Sequence, residues 1–151
     1  MWRIHLFYVT NQLVIDQIDT IYWVGGYDGQ NENSDGDIDF SDFENCKTII
    51  ISIESRICNI DITLPPNVEE LICYVNDFGE TQIHFSNLHE LEYLSKVSFF
   101  SGDGFCETFD ITLPLNHFDI IQINPYFKIV NLDEISFDRL EYLDVCGQPI
   151  W

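Results

Sequence analysis

The sequence contains no alanine and only six basic residues among its 151. Alanine is the strongest helix former, so its absence, together with 21 isoleucines, disfavours helices and favours strands. Acidic residues number 26, and the formal net charge is −20 at pH 7. Six cations cannot neutralise many phosphates, which argues against direct binding to nucleic acid, and the same charge argues against an anionic membrane surface. The negative charge therefore indicates either a basic partner protein or a contribution to solubility alone.

Long apolar runs and export features are missing as well. The sequence has no stretch of 18 apolar residues, so it predicts no membrane span. Residues 1–9 lack the full apolar region and the cleavage site of a signal peptide. The five cysteines are odd in number and have no CxxC spacing, so we expect reduced thiols and a cytoplasmic protein. The length predicts one domain spanning residues 1–151.

A six-residue pattern, apolar-x-x-apolar-x-apolar, recurs at intervals of 22 to 28 residues. Its six copies begin at Ile18, Cys46, Val68, Leu94, Phe118 and Leu140. Two echoes 49 residues apart support the repeat: DITLPPN at 61–67 returns as DITLPLN at 110–116, and LEYL at 91–94 returns at 140–143. Each copy predicts one strand whose alternate side chains enter a core shared with the neighbouring copies.

The fourth copy leaves two registers open. A start at Leu94 turns Val97 and Phe99 inward and Lys96 outward, whereas the 49-residue echo favours a start at Leu91 and turns Lys96 inward. We prefer Leu94, because burying an unpaired ammonium group costs free energy.

Units of this length, each with one L-x-x-L-x-L strand, resemble leucine-rich repeats. The segment LPPNVEEL at 64–71 is similar to the LPPN-x-x-x-L junction of the irregular, non-plant members of that family. The family's asparagine after the strand is present only at Asn76 and, displaced, at Asn124. Over roughly residues 18–145, the resemblance implies a mainly β, right-handed solenoid with a parallel sheet, irregular return segments and about six rungs. It implies a surface that binds proteins and not a reaction.

The segments outside the repeated strands carry weaker signals. Residues 4–9 and 13–18 are apolar and predict a strand or hairpin that caps the N-terminal end, residues 1–17. Residues 83–85 and 135–137 alternate and predict short strands or extended return segments. Prolines at 65, 66 and 114 exclude a continued helix in the return limbs.

The widest interval between copies contains an acidic segment, residues 28–45, which we expect to be an insertion loop. Residues 31–42 match much of an EF-hand-type calcium loop, with Gly36 at the sharp turn, although its first and last positions depart from the usual Asp and Glu. The candidate calcium ligands are Asn31, Asn33, Asp35, Asp37, Asp39 and Asp42. A calcium site, a solvated loop and an acidic arm for a partner are three interpretations that stay open.

Catalytic motifs are missing from the sequence. The four histidines lie in no HxxxH motif and near no CxxC motif, so the sequence predicts no zinc site. No G-x-S-x-G nucleophile elbow is present. The glycine-rich residues 25–29 lack the Lys-Ser/Thr pair of a phosphate-binding loop. Carboxylate pairs such as Asp37 and Asp39 are expected by chance among 26 acids, and Cys106 has no activating partner that can be named. We therefore expect a binding protein with no cofactor, and not an enzyme.

The strand alternation also predicts which side chains leave the sheet on its outer side. Aromatic and apolar residues alternate there with acids, a composition typical of protein interfaces. With the acids of the insertion, the predicted partner-binding residues are Tyr22, Asp35, Asp37, Asp39, Asp42, Glu70, Ile72, Tyr74, Phe100, Tyr142 and Asp144. The alternative is that return segments or a second copy of the chain cover this face.

Charge and resemblance together favour a protein that neutralises a basic partner, such as an immunity protein or antitoxin that inhibits a toxin, for example a nuclease. A second hypothesis is a general leucine-rich-repeat scaffold or adhesion module that binds calcium. Calcium binding in a calorimetric titration would favour this hypothesis over the first. A third is a nucleic-acid mimic, which requires acids in two rows at phosphate-like spacing.

Overall fold

The computed structural model describes residues 15–25, 36–53, 59–75, 82–102, 109–124 and 127–145. These ranges are mainly β, and no helix in them has the length and apolarity that crossing a membrane requires. The strands are β1 (Thr20–Gly25), β2 (Gly36–Asp39), β3 (Thr48–Ile53), β4 (Asn59–Thr63), β5 (Glu70–Val75), β6 (Gln82–Phe85), β7 (Lys96–Ser101), β8 (Phe109–Ile111), β9 (Ile120–Ile123), β10 (Phe127–Ile129) and β11 (Tyr142–Val145). Short 3₁₀ turns span Leu88–Glu90 and Leu132–Glu134.

Alternate strands form one parallel sheet, which we call the front sheet. Its order is β1-β3-β5-β7-β9-β11, and every neighbouring pair is parallel. The even-numbered strands, which we call the return strands, form a three-stranded parallel sheet, β2-β4-β6, and a parallel pair, β8 with β10. The chain therefore winds between front and return strands as a parallel β-solenoid of about four turns, which confirms the predicted mainly β solenoid with a parallel sheet. The expectation that the return segments are irregular was wrong for these strands, because each pairs with the return strand of a neighbouring turn.

The inward side chains of the repeated copies form the core, as the alternation predicts. Neighbouring front strands align these residues in ladders; the first ladder is Ile21, Ile49, Leu71, Val97 and Ile121, all buried. In the second ladder, the ring centroid of Phe99 lies 5.9 Å from that of Phe85 and 5.2 Å from that of Phe127, both on return strands. The core thus lies between the front sheet and the return strands.

The register of the fourth copy follows the start at Leu94. Val97 aligns with Leu71 and Phe99 with Cys73, and all four side chains are buried. Lys96 aligns with Glu70 on the side of the sheet that points away from the core, where the residue is only half-buried. The preferred register is therefore confirmed, for the reason that favoured it: the alternative would bury this charge.

Part of the expected acidic insertion is a strand and not a loop. Gly36–Asp39 forms β2 and pairs in parallel with β4, aligning Ile38 with Ile62. Ile38 packs against the core and Phe40 is buried within it, while Asp37 and Asp39 point outward. The apolar residues between the acids give this segment the alternation of a return strand. Residues 28–35 of the predicted insertion lie outside the described ranges.

Three of the weaker local predictions fall on described residues, and one of them is confirmed as a strand. Residues 15–18, the end of a predicted capping strand, form a turn in which the Ile18 N–H donates to the Ile15 carbonyl at 3.1 Å; residues 1–14 lie outside the described ranges. Residues 83–85 lie in β6, as predicted. Residues 135–137 form no strand, because the chain has just left a 3₁₀ turn and Ser136 makes only an isolated bridge to His117.

Two asparagine side chains, the half-buried Asn87 and the buried Asn131, join successive turns, and we call them the asparagine clamps. The Asn87 amide donates to the Leu64 carbonyl and accepts from the Leu64 N–H, both at 2.9 Å. The Asn131 amide makes the same pair of bonds with Leu113, at 2.8 and 3.1 Å. An amide side chain offers a donor and an acceptor together, so each clamp satisfies both backbone groups of a leucine that precedes a proline.

Candidate functional site

The side of the front sheet that points away from the core carries a strip of aromatic and aliphatic side chains, which we call the outer face. Strand pairing places Tyr22 beside Ile50, and Ile50 beside Ile72. In the next row it places Tyr74 beside Phe100, whose rings stack with centroids 5.0 Å apart and planes 16° apart. Because parallel strands hold these residues in register, the sheet presents them as one ordered surface.

Much of the outer face remains accessible to solvent. Tyr22 and Tyr74 are each 39% exposed and Tyr142 is 47% exposed, while Ile72 and Phe100 are half-buried. No segment within the described ranges therefore covers the tyrosines. Rigid, amphipathic tyrosine rings beside aliphatic side chains are the kind of surface on which binding energy concentrates in protein interfaces.

Charged groups lie at the borders of this strip. Glu70 accepts a hydrogen bond from the Thr48 hydroxyl at 3.4 Å and lies next to Lys96 across the β5–β7 pair. Asp144, on the last strand of the sheet, is exposed beside Gln122. Seven of the predicted partner-binding residues thus share the outer face: Tyr22, Glu70, Ile72, Tyr74, Phe100, Tyr142 and Asp144.

The predicted acids of the insertion lie on another surface. Asp37 and Asp39 point outward from β2, which belongs to the return strands across the core from the front sheet. Asp37 aligns with Asp61, whose Oδ1 lies 2.8 Å from Nδ1 of His84 on β6. Asp42 is exposed in the turn that follows β2. The structure therefore divides the predicted set between two sides of the solenoid, and Asp35 lies outside the described ranges.

The candidate calcium ligands fall only partly within the described ranges. Asn31, Asn33 and Asp35 lie outside them, and Asp37 points outward from a strand. Oδ1 of Asp39 accepts a hydrogen bond from the Ser41 N–H at 2.8 Å. Among the residues that the structure describes, no group of three or more His, Cys, Asp or Glu side chains is arranged to hold a metal ion.

The two described cysteines are buried thiols. Desolvation by burial raises the pKa of Cys73 to about 12. It raises the pKa of Cys46 to about 11, although hydrogen bonds with the backbone of Ile21 and Thr48 oppose the shift. Both thiols are therefore protonated at neutral pH. The reactive form of cysteine, which attacks substrates or binds metals, is the thiolate.

A surface groove of about 390 Å³ lies at the amino edge of the front sheet. Its lining is Glu69, Glu92, Tyr93, Leu94, Ser95, Leu115, Asn116, His117 and Arg139. Most of these residues stand shortly before β5, β7, β9 or β11, so the groove borders the outer face. In the described ranges, Leu115 and Tyr93 are the two most exposed large apolar side chains, at 66% and 56%.

Two ion pairs each place one partner, Glu69 or Arg139, in the lining of the groove. Lys47 Nζ lies 2.9 Å from Glu69 Oε1 and 5.7 Å from the centre of the Tyr93 ring. Arg139 Nη2 lies 3.1 Å from Asp119 Oδ1.

Our sequence reasoning missed this groove. The only signal available was Leu115, which replaces the second proline of the DITLPPN echo and is apolar outside the inward pattern.

No protein-family model matches the chain, and no curated protein and no solved structure matches it.

Proposed function

We propose that the protein is a binding module that neutralises a basic partner by direct contact, as an immunity protein or antitoxin does with a toxin. The observation that carries the proposal is the outer face: exposed tyrosines and half-buried aliphatic side chains, held in register by a parallel sheet, on a chain of net charge −20. In this proposal the protein acts in the cytoplasm, needs no cofactor and catalyses no reaction.

The charge and the outer face have separate parts in this function. A strongly negative surface attracts a basic protein over distances set by the ionic strength, and such steering raises association to roughly 10⁸–10⁹ M⁻¹ s⁻¹ at low salt. An inhibitor benefits from this speed, because it must capture its target before damage accumulates. Aromatic and aliphatic anchors then slow dissociation, since desolvated contacts near the centre of an interface carry most of the binding energy.

The fold proposed for this module is a right-handed solenoid of leucine-rich-repeat type with six rungs. Six parallel front strands support the rung number. Right-handed connections are strongly favoured between parallel strands of one sheet, which supports the handedness. The LPPNVEEL junction supports the repeat type; its second proline stands in the turn just before Val68, whose side chain is buried.

Association kinetics with a basic partner protein, such as a toxin domain from a neighbouring gene, provide the test of steering. We expect the association rate constant, measured by stopped-flow fluorescence, to fall by at least about tenfold between low salt and 0.5 M NaCl. A rate constant that is the same at both salt concentrations would contradict the steering argument.

A pair of variants tests the outer face itself. Tyr74→Ala removes an anchor on the outer face, and Phe137→Ala removes an equally exposed ring from the segment before β11; the two side chains are 39% and 38% exposed. We expect Tyr74→Ala to raise the dissociation constant at least about tenfold, mainly through faster dissociation, and Phe137→Ala to leave it within about twofold. Equal effects of the two substitutions would remove the outer face as the binding surface.

A further inference from the structure

The groove at the amino edge of the front sheet combines apolar and acidic walls. Tyr93 and Leu115 are more exposed than any other large apolar side chain that the structure describes, and both line this one groove. Exposed apolar side chains that are gathered in a concavity, and not scattered singly, mark a place where a partner's side chain is received. Glu69 and Glu92 contribute carboxylates to the same lining.

The protein's own Lys47 shows which chemistry this lining accepts. Its ammonium group lies 2.9 Å from a Glu69 oxygen and 5.7 Å from the centre of the Tyr93 ring. A carboxylate and an aromatic ring thus hold one cation together, by ion pairing and by attraction to the negative face of the ring. Tyr93 nevertheless stays 56% exposed, so much of its ring is free for a second group.

The distribution of charge leaves one carboxylate of the groove available. Lys47 neutralises Glu69, and Arg139 neutralises Asp119 at 3.1 Å. Glu92 makes no ion pair with any residue in the described ranges. The basic side chains at the groove are Lys47, which is paired with Glu69, and Arg139, whose pairing with Asp119 lowers its attraction for an anion.

We propose that this groove binds an arginine side chain, with the guanidinium group stacked on Tyr93 and paired with Glu92. Arginine fits better than lysine, because its planar, weakly hydrated guanidinium group stacks on aromatic rings and forms forked bonds to carboxylates. The groove volume of about 390 Å³ leaves room for the side chain. That the arginine comes from a basic partner protein rests on the proposed function, and the groove would then extend the interface beyond the outer face.

A titration with a small probe tests the groove without any partner protein. The probe is N-acetyl-arginine methylamide, followed by NMR on the Tyr93 ring and Leu115 methyl signals of the full chain. The citrulline analogue is the control ligand, because it keeps the shape and lacks the charge. We expect saturable shifts at Tyr93 and Leu115 with the arginine probe and none with citrulline.

Matched variants separate the groove from general attraction to an acidic protein. Tyr93→Leu removes the ring and should weaken probe binding about two- to fivefold, the worth of a cation–π contact at an exposed site. Tyr93→Phe keeps the ring and should bind as the natural chain does, which would show that the ring and not the hydroxyl carries the interaction. Phe137→Leu and Glu141→Gln change exposed residues outside the groove and should leave binding unchanged, whereas Glu92→Gln should weaken it.

Three results would overturn the proposal. The first is equal shifts with citrulline, and the second is probe binding that Tyr93→Leu leaves unaltered. The third is a groove that responds to N-acetylglycine, a carboxylate, but not to arginine, which would make it an anion site built on Arg139. Each of these outcomes leaves the outer-face proposal untouched, because that proposal is tested by Tyr74→Ala with a whole protein partner.

Discussion

The side chains of Asn87 and Asn131 bond to backbone N–H and C=O groups that no strand pairs. Leu64 and Leu113 each precede a proline, which has no N–H to donate, and the chain turns there between return and front strands. Each clamp satisfies both polar backbone groups of its leucine through one side chain of the next turn. Nearby asparagines bond between turns more simply, as Asn67 does by donating to the Glu44 carbonyl at 2.8 Å.

Replacing a clamp should cost far more stability than replacing an exposed asparagine. Asn131→Ala leaves the buried N–H and C=O of Leu113 without partners, and we expect it to lower the free energy of unfolding by about 2–4 kcal/mol. Asn45 is exposed and donates one bond to the Asp16 carbonyl at 2.9 Å, so Asn45→Ala should cost about 0.5–1.5 kcal/mol. Urea unfolding measures the free energy of unfolding of both variants. Equal losses would show that the clamp stabilises the fold no more than a single exposed hydrogen bond does.

The buried thiols predict a loss of stability at alkaline pH. Burial raises the pKa of Cys73 from 9.0 to about 12, so between these values the folded chain keeps a proton that the unfolded chain releases. The unfolded state then binds fewer protons, and the free energy of unfolding falls as pH rises above about 9.

A valine at this position isolates the contribution of the thiol. We expect Cys73→Val to show a smaller fall in unfolding free energy between pH 8 and pH 10 than the natural chain in the same denaturation series. Measurement of both proteins at pH 7 provides the baseline for any packing change. Identical pH dependences would mean that the Cys73 thiol titrates alike in the folded and unfolded states.

At the scale of the strand, two-residue periodicity decides which side chains build the core. Phe99 and Phe100 are consecutive residues of the same type on β7, yet the first is fully buried and the second is half-exposed on the outer face. Slipping the strand by one residue would exchange them and would also bury Lys96. The two-residue alternation along β7 therefore determines which side chain is buried more strongly than the residue type does.

The same pair provides a direct test of the register. Phe99→Ala should lower the free energy of unfolding by about 3–5 kcal/mol, because it opens a cavity between the front sheet and the return strands. Phe100→Ala should cost only about 1 kcal/mol, chiefly through the lost stacking with Tyr74. Denaturant unfolding compares the two, and a larger loss for Phe100→Ala would contradict the register.

The return strands show where sequence reasoning fell short. Ile38 and Phe40 alternate with aspartates in the same way as the front strands alternate, but the surrounding acids suggested a solvated loop. In the structure β2 exists because β4 pairs with it and the core receives Ile38. A strand of four residues is stabilised by its neighbours more than by its own propensity, so its composition alone was misleading.

At the scale of the whole molecule, the net charge of −20 opposes the compact state through self-repulsion. The described ion pairs are few and lie at the surface, so they relieve little of this repulsion. Salt, by contrast, screens all the carboxylates at once, and the Debye length shortens from about 30 Å at 0.01 M to about 10 Å at 0.1 M.

Raising the NaCl concentration should therefore stabilise the protein. We expect the melting temperature to rise by about 2–4 °C between 0.01 and 0.3 M NaCl at pH 7, the shift that about 1 kcal/mol produces in a chain of this size. At pH 5, nearer the pI of about 4.1, the same salt step should have a smaller effect because fewer carboxylates are charged. A melting temperature that falls with salt at pH 7 would contradict the account, and scanning calorimetry measures it.

The amino-acid sequence alone determined the repeated strands, their inward residues and the sign of the surface charge. Alternation and spacing are local properties, and a one-residue slip would place apolar side chains in water and Lys96 in the core, so the pattern favours one register. Only the tertiary structure decided that Asn87 clamps Leu64, that β2 joins the return strands, and that Tyr93 and Leu115 share a groove. These contacts join residues about 22 to 24 positions apart on successive turns, and their geometry arises only when the turns stack.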